Sequence, residues 1–414
     1  MQLRHRFWQD IFSKKMLVCI FTGFSSGLPL YILINLLPAW LRSHQLDLKA
    51  IGLFALIQLP YTWKFLWAPF FDRFTWVMGR RRGWLFFFQC LLLISIPLLG
   101  FYNPQTDLTT VVFIASIIAF LSASQDVVID AYRRELLLDK ELGLGNAIHV
   151  NAYKIASLVP GSLSLILADH FDWQTVFIIT SLFMLPGLLL TCFIKEPKAL
   201  KIKKQDLTTS LLLPFQEFIG RHGLKSAFTI LLFIFFYKLG DSMATALATP
   251  FYLDLGFSKT EIGLIAKNAG LWPSVIGGLL GGVWMMKLGI NRALWFFGFL
   301  QMISILGFAW LAHIGYSPEW LALIVGFEAF VVGLGTTAFV AFIAKTTHPL
   351  YTATQFALFT SLAAIPRTLV NASTGYLQNM FGWEHFLYCV SSLRSLAWLY
   401  FTKSHRLKIK AYSQ

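Results

Sequence analysis

Apolar residues run for about twenty positions at a time along this chain, and the breaks between runs are short, polar and often basic. A helix needs roughly 20 mostly apolar residues to cross about 30 Å of hydrocarbon. Twelve runs approach or exceed that length: approximately Met16–Leu41, Leu48–Pro69, Trp84–Phe101, Leu108–Val128, Gly145–Ala168, Trp173–Ile194, Ser226–Leu253, Ile262–Met286, Leu294–Ile314, Trp320–Ala344, Thr354–Tyr376 and Trp383–Phe401. Strands of a membrane barrel would instead alternate over segments of about ten residues, and these runs do not alternate. The pattern predicts an all-α membrane protein with 12 transmembrane helices. The first run is too long for a signal-peptide core and has no small-residue cleavage site after it, so it is expected to stay as span one.

Composition agrees, because 57% of the 414 residues are hydrophobic and 13% are charged, against about a quarter charged in an ordinary soluble domain. One soluble core could not absorb that apolar excess, and so apolar a chain would collapse rather than stay disordered. Lys and Arg outnumber Asp and Glu by 34 to 20, for a net charge of +14. They gather in alternate loops: Arg4, Arg6, Lys14 and Lys15, then Arg73 to Arg82, Arg133 to Lys140, Lys195 to Lys225, Lys287 and Arg292, Lys345, and Lys403 to Lys410. The other loops hold only Arg42, Lys49 and Lys259. Positively charged loops stay on the cytoplasmic side, which places both termini in the cytoplasm. Charges so dispersed answer topology and anionic lipid, not nucleic acid. Cys19, Cys90, Cys192 and Cys389 sit singly in separate runs, without metal-ligand spacing.

The longest basic loop, 195–225, divides the spans six from six, so the expected organisation is a six-helix bundle over 1–194, a cytoplasmic linker over 195–225 and a second six-helix bundle over 226–414. Within the linker, Leu211–Ile219 is suited to lie as a short interfacial helix. The halves echo each other. Pro38 precedes Ile51-Gly52-Leu53 at nearly the interval by which Pro250 precedes Ile262-Gly263-Leu264. A six-plus-six repeat fits transporters whose halves rock around a central site.

Asp72-Arg73 after span two and Gly79-Arg80-Arg81-Arg82 before span three resemble the cytoplasmic signature of the major facilitator superfamily, and Gly281-Gly282 through Arg292 is a degenerate second copy. With Arg133 and Arg134 at the inner end of span four, Asp72, Arg73, Arg80 and Arg81 are the candidate gating residues. A narrower resemblance runs through Gly23–Leu30, Ile51–Arg73, Ala123–Arg133, Tyr237–Asp241, Gly333–Ile343 and Thr352–Ala364. These stretches are similar to the AmpG-type muropeptide permeases, a branch of that superfamily related to acetyl-CoA transporters. The resemblance implies a superfamily fold of two six-helix bundles and proton-driven uptake of anhydro-muropeptides from periplasm to cytoplasm for cell-wall recycling. It also implies a bacterial inner-membrane address, a single working copy and no cofactor.

Ionisable groups at membrane depth are costly and normally face a wet cavity or one another. The acids are Asp126 and Asp130 in span four, Asp241 in span seven and Glu328 in span ten; the bases are Lys64, Lys154, Lys238, Lys267, Arg367 and Arg394. Asp126, Asp130 and Arg133 share one helix face at i, i+4, i+7. A proton carrier needs its neutral form favoured by desolvation, which a nearby cation opposes. Asp126 is deeper and farther from the arginines, so it is the first candidate for the coupling proton, followed by Asp241, with Asp130 and Glu328 behind. Asp130 has a plain structural alternative as partner of Arg133 or Arg134.

Lys238 and Asp241, at i, i+3, can form a permanent pair, or one that opens when a substrate carboxylate takes Lys238; Tyr237 adds a hydroxyl. Asn146, His149 and Tyr153 share a face of span five, beside Asn151 and Lys154. Amides and hydroxyls there suit sugar and peptide groups, and Lys154 suits a carboxylate; His149 reads as a packed helix residue. Arg367, after the helix-bending Pro366, can clamp a carboxylate or pair with Glu328. Gln125, Gln355 and Trp272 complete the candidate substrate contacts. Lys64 and Arg394, near the ends of their spans, are expected to snorkel or to bond neighbouring helices.

No nucleophile elbow, metal-binding His pair or Gly-rich phosphate loop interrupts the runs, which argues against a membrane enzyme and an ATP-driven pump. A receptor without transport would need a sizeable extramembrane domain, and the longest loop is too short to fold alone. The substrate expected is a small amphipathic anion moving with protons, with acetyl-CoA-like, peptide or siderophore cargo as the alternatives to a muropeptide.

Overall fold

The computed structural model describes residues 13–46, 54–76, 78–197, 207–246, 248–257, 261, 265, 267–365, 377–378 and 380–392. They are helical nearly throughout, and among them extended pairing is confined to one bridge between Trp76 and Gly79. Eight of the described helices are long and apolar enough to cross a membrane, nine if a bent pair counts as one. The eight coincide with predicted spans one, three to six and eight to ten. The bent pair brings in span seven, and spans eleven and twelve are described only over Thr352–Ile365 and 380–392.

The chain divides into two compact units, Met1–Leu211 with Thr347–Leu358, and Leu212–Thr346 with Phe359–Gln414. In the first unit, α1 (Lys14–Tyr31) passes through a π-helical turn, Ile32–Leu36, into α2 (Leu37–Ser43). Pro29 lies just before that turn, where a missing amide hydrogen favours a local change of helical pitch. Span two is not one helix. It breaks into a 3-10 turn Phe54–Gln58, α3 (Leu59–Trp63), a second 3-10 turn Lys64–Leu66 and α4 (Ala68–Arg73). Pro60 and Pro69 stand in the first turns of α3 and α4, the place a helix accepts proline and the place a longer helix must be interrupted to hold it.

The helices α5 (Arg82–Leu98) and α6 (Leu108–Leu136) follow, then α7 (Leu142–Ala156). A π-turn at Val159–Leu163, holding Pro160, joins α7 to α8 (Ser164–Ala168). Span six is α9 (Trp173–Leu182) and α10 (Leu185–Phe193). Asp172 caps α9 by accepting the Thr175 amide at 3.2 Å and its hydroxyl at 2.8 Å, and these bonds hold its carboxyl below the usual range. The unit is cored by Leu28, Ile32, Trp40, Leu85, Ile118 and Phe177.

Close approach of α1 to α7 depends on two glycines. A Cβ at Gly23 would overlap the His149 carbonyl, and one at Gly27 would stand 2.5 Å from the Tyr153 carbonyl. Small residues four apart let helix backbones touch where lipid supplies no hydrophobic drive.

The second unit starts at Leu212, within α11 (Leu207–His222), which contains the Leu211–Ile219 stretch and meets α12 (Leu224–Ala246) at Gly223. The φ of Gly223 is 72°, a left-handed helix terminator, and the axes turn by 106° there. The further helices are α13 (Ala248–Asp254), α14 (Lys267–Leu288), α15 (Ile290–Ile314) and α16 (Pro318–Thr346), and α17 (Thr352–Ile365) begins in the first unit and passes to the second at Phe359. Gly277, Gly281 and Gly333 set α14 against α16 as Gly23 and Gly27 set α1 against α7. Large apolar side chains such as Ile94, Phe113, Leu189 and Phe193 are exposed on helix flanks, as befits a protein whose outer solvent is hydrocarbon.

Candidate functional site

Two polar clusters lie inside the first unit. The first is built on the inner face of α6. Ser26 of α1 donates to Asp126 Oδ1 at 2.7 Å, and Lys64 Nζ from the broken span two is in contact with Asp126 Oδ2. The same ammonium is 4.0 Å from Asp130 Oδ2, whose Oδ1 receives Arg133 Nη2 at 2.7 Å. Arg133 Nε donates to Asn146 Oδ1 of α7 at 2.8 Å, and its guanidinium lies 5.7 Å from the centre of the Phe356 ring of α17. Two acids and two bases are thus enclosed with no net charge. An enclosed pair tolerates desolvation only while its partners stay matched. Exposure is uneven: the side chain of Asp126 is 19% accessible, against 5% for Lys64, 9% for Asp130 and 3% for Arg133.

The second cluster surrounds Arg81, which is wholly buried. Its guanidinium donates to Asp72 at 2.7 Å, to Glu135 at 2.6 Å, to the Phe71 carbonyl at 3.0 Å and to Thr352 Oγ1 at 2.6 Å. Burial works against its charge, but Glu135 and Asp72 outweigh that and hold its pKa above the ordinary arginine value. Arg80 adds a bond to Glu135 at 2.9 Å; burial and the neighbouring Arg81 hold it below that value. Asp72 also caps α17, accepting from the amides of Ala353 at 3.2 Å and Thr354 at 2.9 Å and from Thr354 Oγ1 at 2.8 Å. A carboxylate is favoured there because the first amides of a helix lack partners and carry its positive dipole end.

The turn into α5 is shaped from below. Gly79, at φ 116°, leaves room for the Glu196 carboxylate, which accepts the amides of Arg81 at 2.8 Å and Arg82 at 3.0 Å. Trp84 braces the same turn by donating to the Phe74 carbonyl at 2.9 Å.

The sequence profile of the Major Facilitator Superfamily matches residues 19–370. The chain belongs to that superfamily. Within it, the chain is 39% identical over 373 residues to the anhydromuropeptide permease of Escherichia coli, covering 89% of this chain and 75% of that one. It is 33% identical over 378 residues to putative transporter AmpG 4 of Rickettsia felis, at 88% and 90% coverage. It is therefore an AmpG-type permease of the superfamily, a multi-pass membrane transporter and not an enzyme. The crystal structure of the superfamily transporter FucP in its outward conformation matches with a TM-score of 0.74 over 95% of this chain and 99% of that one, at 13% identity. That likeness speaks for the fold alone.

The other candidate residues of this permease are more scattered. In the second unit, Tyr237 donates to the Gly335 carbonyl at 3.1 Å and stacks on Phe339, while Lys238 reaches Thr336 Oγ1 at 3.4 Å and lies over the same ring at 5.4 Å. Glu328 is half-buried on α16 and Trp272 is exposed on α14. Asp241 and Lys267 fall in α12 and α14, but their side chains, with Arg367 and Arg394 entirely, lie outside the described residues. In the first unit, Gln125 donates to the Ser25 carbonyl at 2.8 Å, Asn151 to the Ala147 carbonyl at 2.8 Å, and Gln355 accepts from the His348 amide at 2.8 Å. Tyr153 meets Tyr31 edge-on, and Lys154 ends α7. Arg134 pairs with Asp139 at 3.1 Å, and Arg73 is exposed over Phe74.

Sequence reasoning missed Ser26, Glu135, Glu196, Thr352 and Thr354, while Lys64, expected to snorkel or to bond a neighbouring helix, bonds Asp126 of α6. Glu135 and Glu196 were visible as acids beside basic runs. Nothing local marks a threonine 271 positions away as the partner of Arg81.

Proposed function

We propose that this permease imports anhydro-muropeptides from periplasm to cytoplasm across a bacterial inner membrane, as a monomer, by alternating access coupled to proton symport. The observation that carries the coupling is the enclosed cluster of Ser26, Lys64, Asp126, Asp130 and Arg133, in which Asp126 is the most accessible ionisable group. The name of the Escherichia coli relative supports the cargo. In this reading the bundles 1–194 and 226–414, joined by 195–225, rock about a central site. Asp126 carries the proton, with Asp241, Asp130 and Glu328 as further acids. Lys154, Lys238 and Arg367 receive the carboxylates of the cargo, and Asn151, Tyr153, Tyr237, Gln125, Gln355 and Trp272 its sugar and amide groups. The cluster of Asp72, Arg80 and Arg81, with Arg73, Arg133 and Arg134, holds the cytoplasmic gate.

Uptake of an anhydro-muropeptide into vesicles with an imposed pH gradient tests this. Accumulation abolished by a protonophore is the expected result; accumulation indifferent to it removes the proton. Asp126→Asn is expected to lose gradient-driven accumulation while counterflow persists, because exchange requires no net proton release. Equal loss of both makes Asp126 structural. Competition by acetyl-CoA or a simple peptide but not by a muropeptide replaces the cargo.

A further inference from the structure

Lys64 stands where span two is least regular, at the opening of the 3-10 turn between α3 and α4. Its ammonium touches Asp126 and is 4.0 Å from Asp130. The two acids are not equivalent. Asp130 already holds the Arg133 guanidinium at 2.7 Å, whereas Asp126, besides Lys64, accepts from the neutral Ser26 hydroxyl at 2.7 Å. Asp126 is also twice as accessible, 19% against 9%. A proton arriving at this cluster therefore meets Asp126 first, and once it is bound the ammonium has one ionised carboxylate left within reach.

We propose that Lys64 is a positioning residue for proton coupling, the counter-ion of Asp126 while that acid is ionised and of Asp130 once Asp126 is protonated. Asp126 then carries the transported proton, and Asp130 stays ionised between Lys64 and Arg133. In the step, one carboxylate oxygen of Asp126 gains a proton and the ammonium shifts from Asp126 Oδ2 towards Asp130 Oδ2; no other bond forms or breaks. The loaded cluster has one positive charge in excess, and a charge in a low-dielectric interior attracts an opposite one strongly. A carboxylate on the cargo supplies it, so proton and anionic cargo favour each other's binding.

The titratable and charged groups around Lys64 are Tyr61 on its own span and Asp126, Asp130 and Arg133 on α6. From α7, His149 lies within electrostatic reach of Arg133, and α1 contributes Cys19, also within that reach, and the hydroxyl of Ser26. The inference rests on the proton-coupled reading above.

Reconstituted full-length protein, with an anhydro-muropeptide as the probe, tests it through the pH profile of uptake and exchange in the wild type, Lys64→Arg, Lys64→Met and the double variant Lys64→Met/Asp126→Asn. Lys64→Arg is expected to keep the wild-type profile. Lys64→Met is expected to lose accumulation and to shift its exchange profile to higher pH by about one unit or more, the scale on which a contacting opposite charge favours an ionised carboxylate. The double variant, which removes one charge of each sign, is expected to exchange without pH dependence, and it carries the test if Lys64→Met fails to fold. A Lys64→Met profile identical to the wild type, or gradient-driven accumulation by the double variant, overturns the role of Lys64. A wild-type protein indifferent to the gradient overturns the proton-coupled reading itself, before any variant is compared.

Discussion

Arg81 is buried because five donors can be spent on acceptors from four directions: a backbone carbonyl, two carboxylates and a threonine hydroxyl. Lysine has the charge but not the planar fork, so it would leave some of those acceptors empty. Asp72 is the matching acceptor, and it ties the guanidinium to the start of α17. Asp72→Ala is expected to cost roughly 3–5 kcal/mol, the usual penalty for removing one partner of a buried ion pair. A lowered midpoint in thermal unfolding of the detergent-solubilised protein, together with faster thiol labelling of Thr354→Cys in the same background, checks it. An unchanged midpoint means that Arg81 is served by Glu135 alone.

Elements here are positioned by what is absent from them as much as by what they carry. Gly23 and Gly27 let α1 lie against the backbone of α7, and the same helix pair brings Ser26 and Asn146 to opposite ends of the α6 cluster. Gly23→Leu is expected to force the helices apart, with a loss of about 1–3 kcal/mol typical of overpacking. It should also weaken uptake more than the Gly220→Ala control, a helical site with open space around it; thermal unfolding and vesicle uptake measured side by side check both. Span two shows the reverse case. Its apolar run reads as one helix, but Pro60 and Pro69 divide it, and the irregular piece between them is where Lys64 reaches α6.

At the scale of the molecule, the loop charges predict an orientation that can be checked without coordinates. Reporter fusions at both termini are expected to be active only as cytoplasmic reporters, and a fusion after Arg42 only as a periplasmic one, since the positive-inside bias is carried by every second loop. A periplasmic carboxyl terminus would break the six-plus-six reading. The division of the chain into units runs through α17, with Thr347–Leu358 in the first unit and the residues from Phe359 in the second. Ala353 and Ala357 accordingly join the hydrophobic core of the first unit.

The apolar runs alone settled that this is an all-α membrane protein, because a span is a local property of about twenty consecutive residues and hydrocarbon tolerates few alternatives. The α6 face of Asp126, Asp130 and Arg133 was legible for the same reason, since 3.6 residues per turn relates them without any other helix. The partners of that face were not. Lys64 lies 62 residues from Asp126, and Thr352 lies 271 from Arg81. Which distant side chain completes a buried charge is decided by helix packing, through glycine contacts and proline breaks whose geometrical consequences no periodicity encodes.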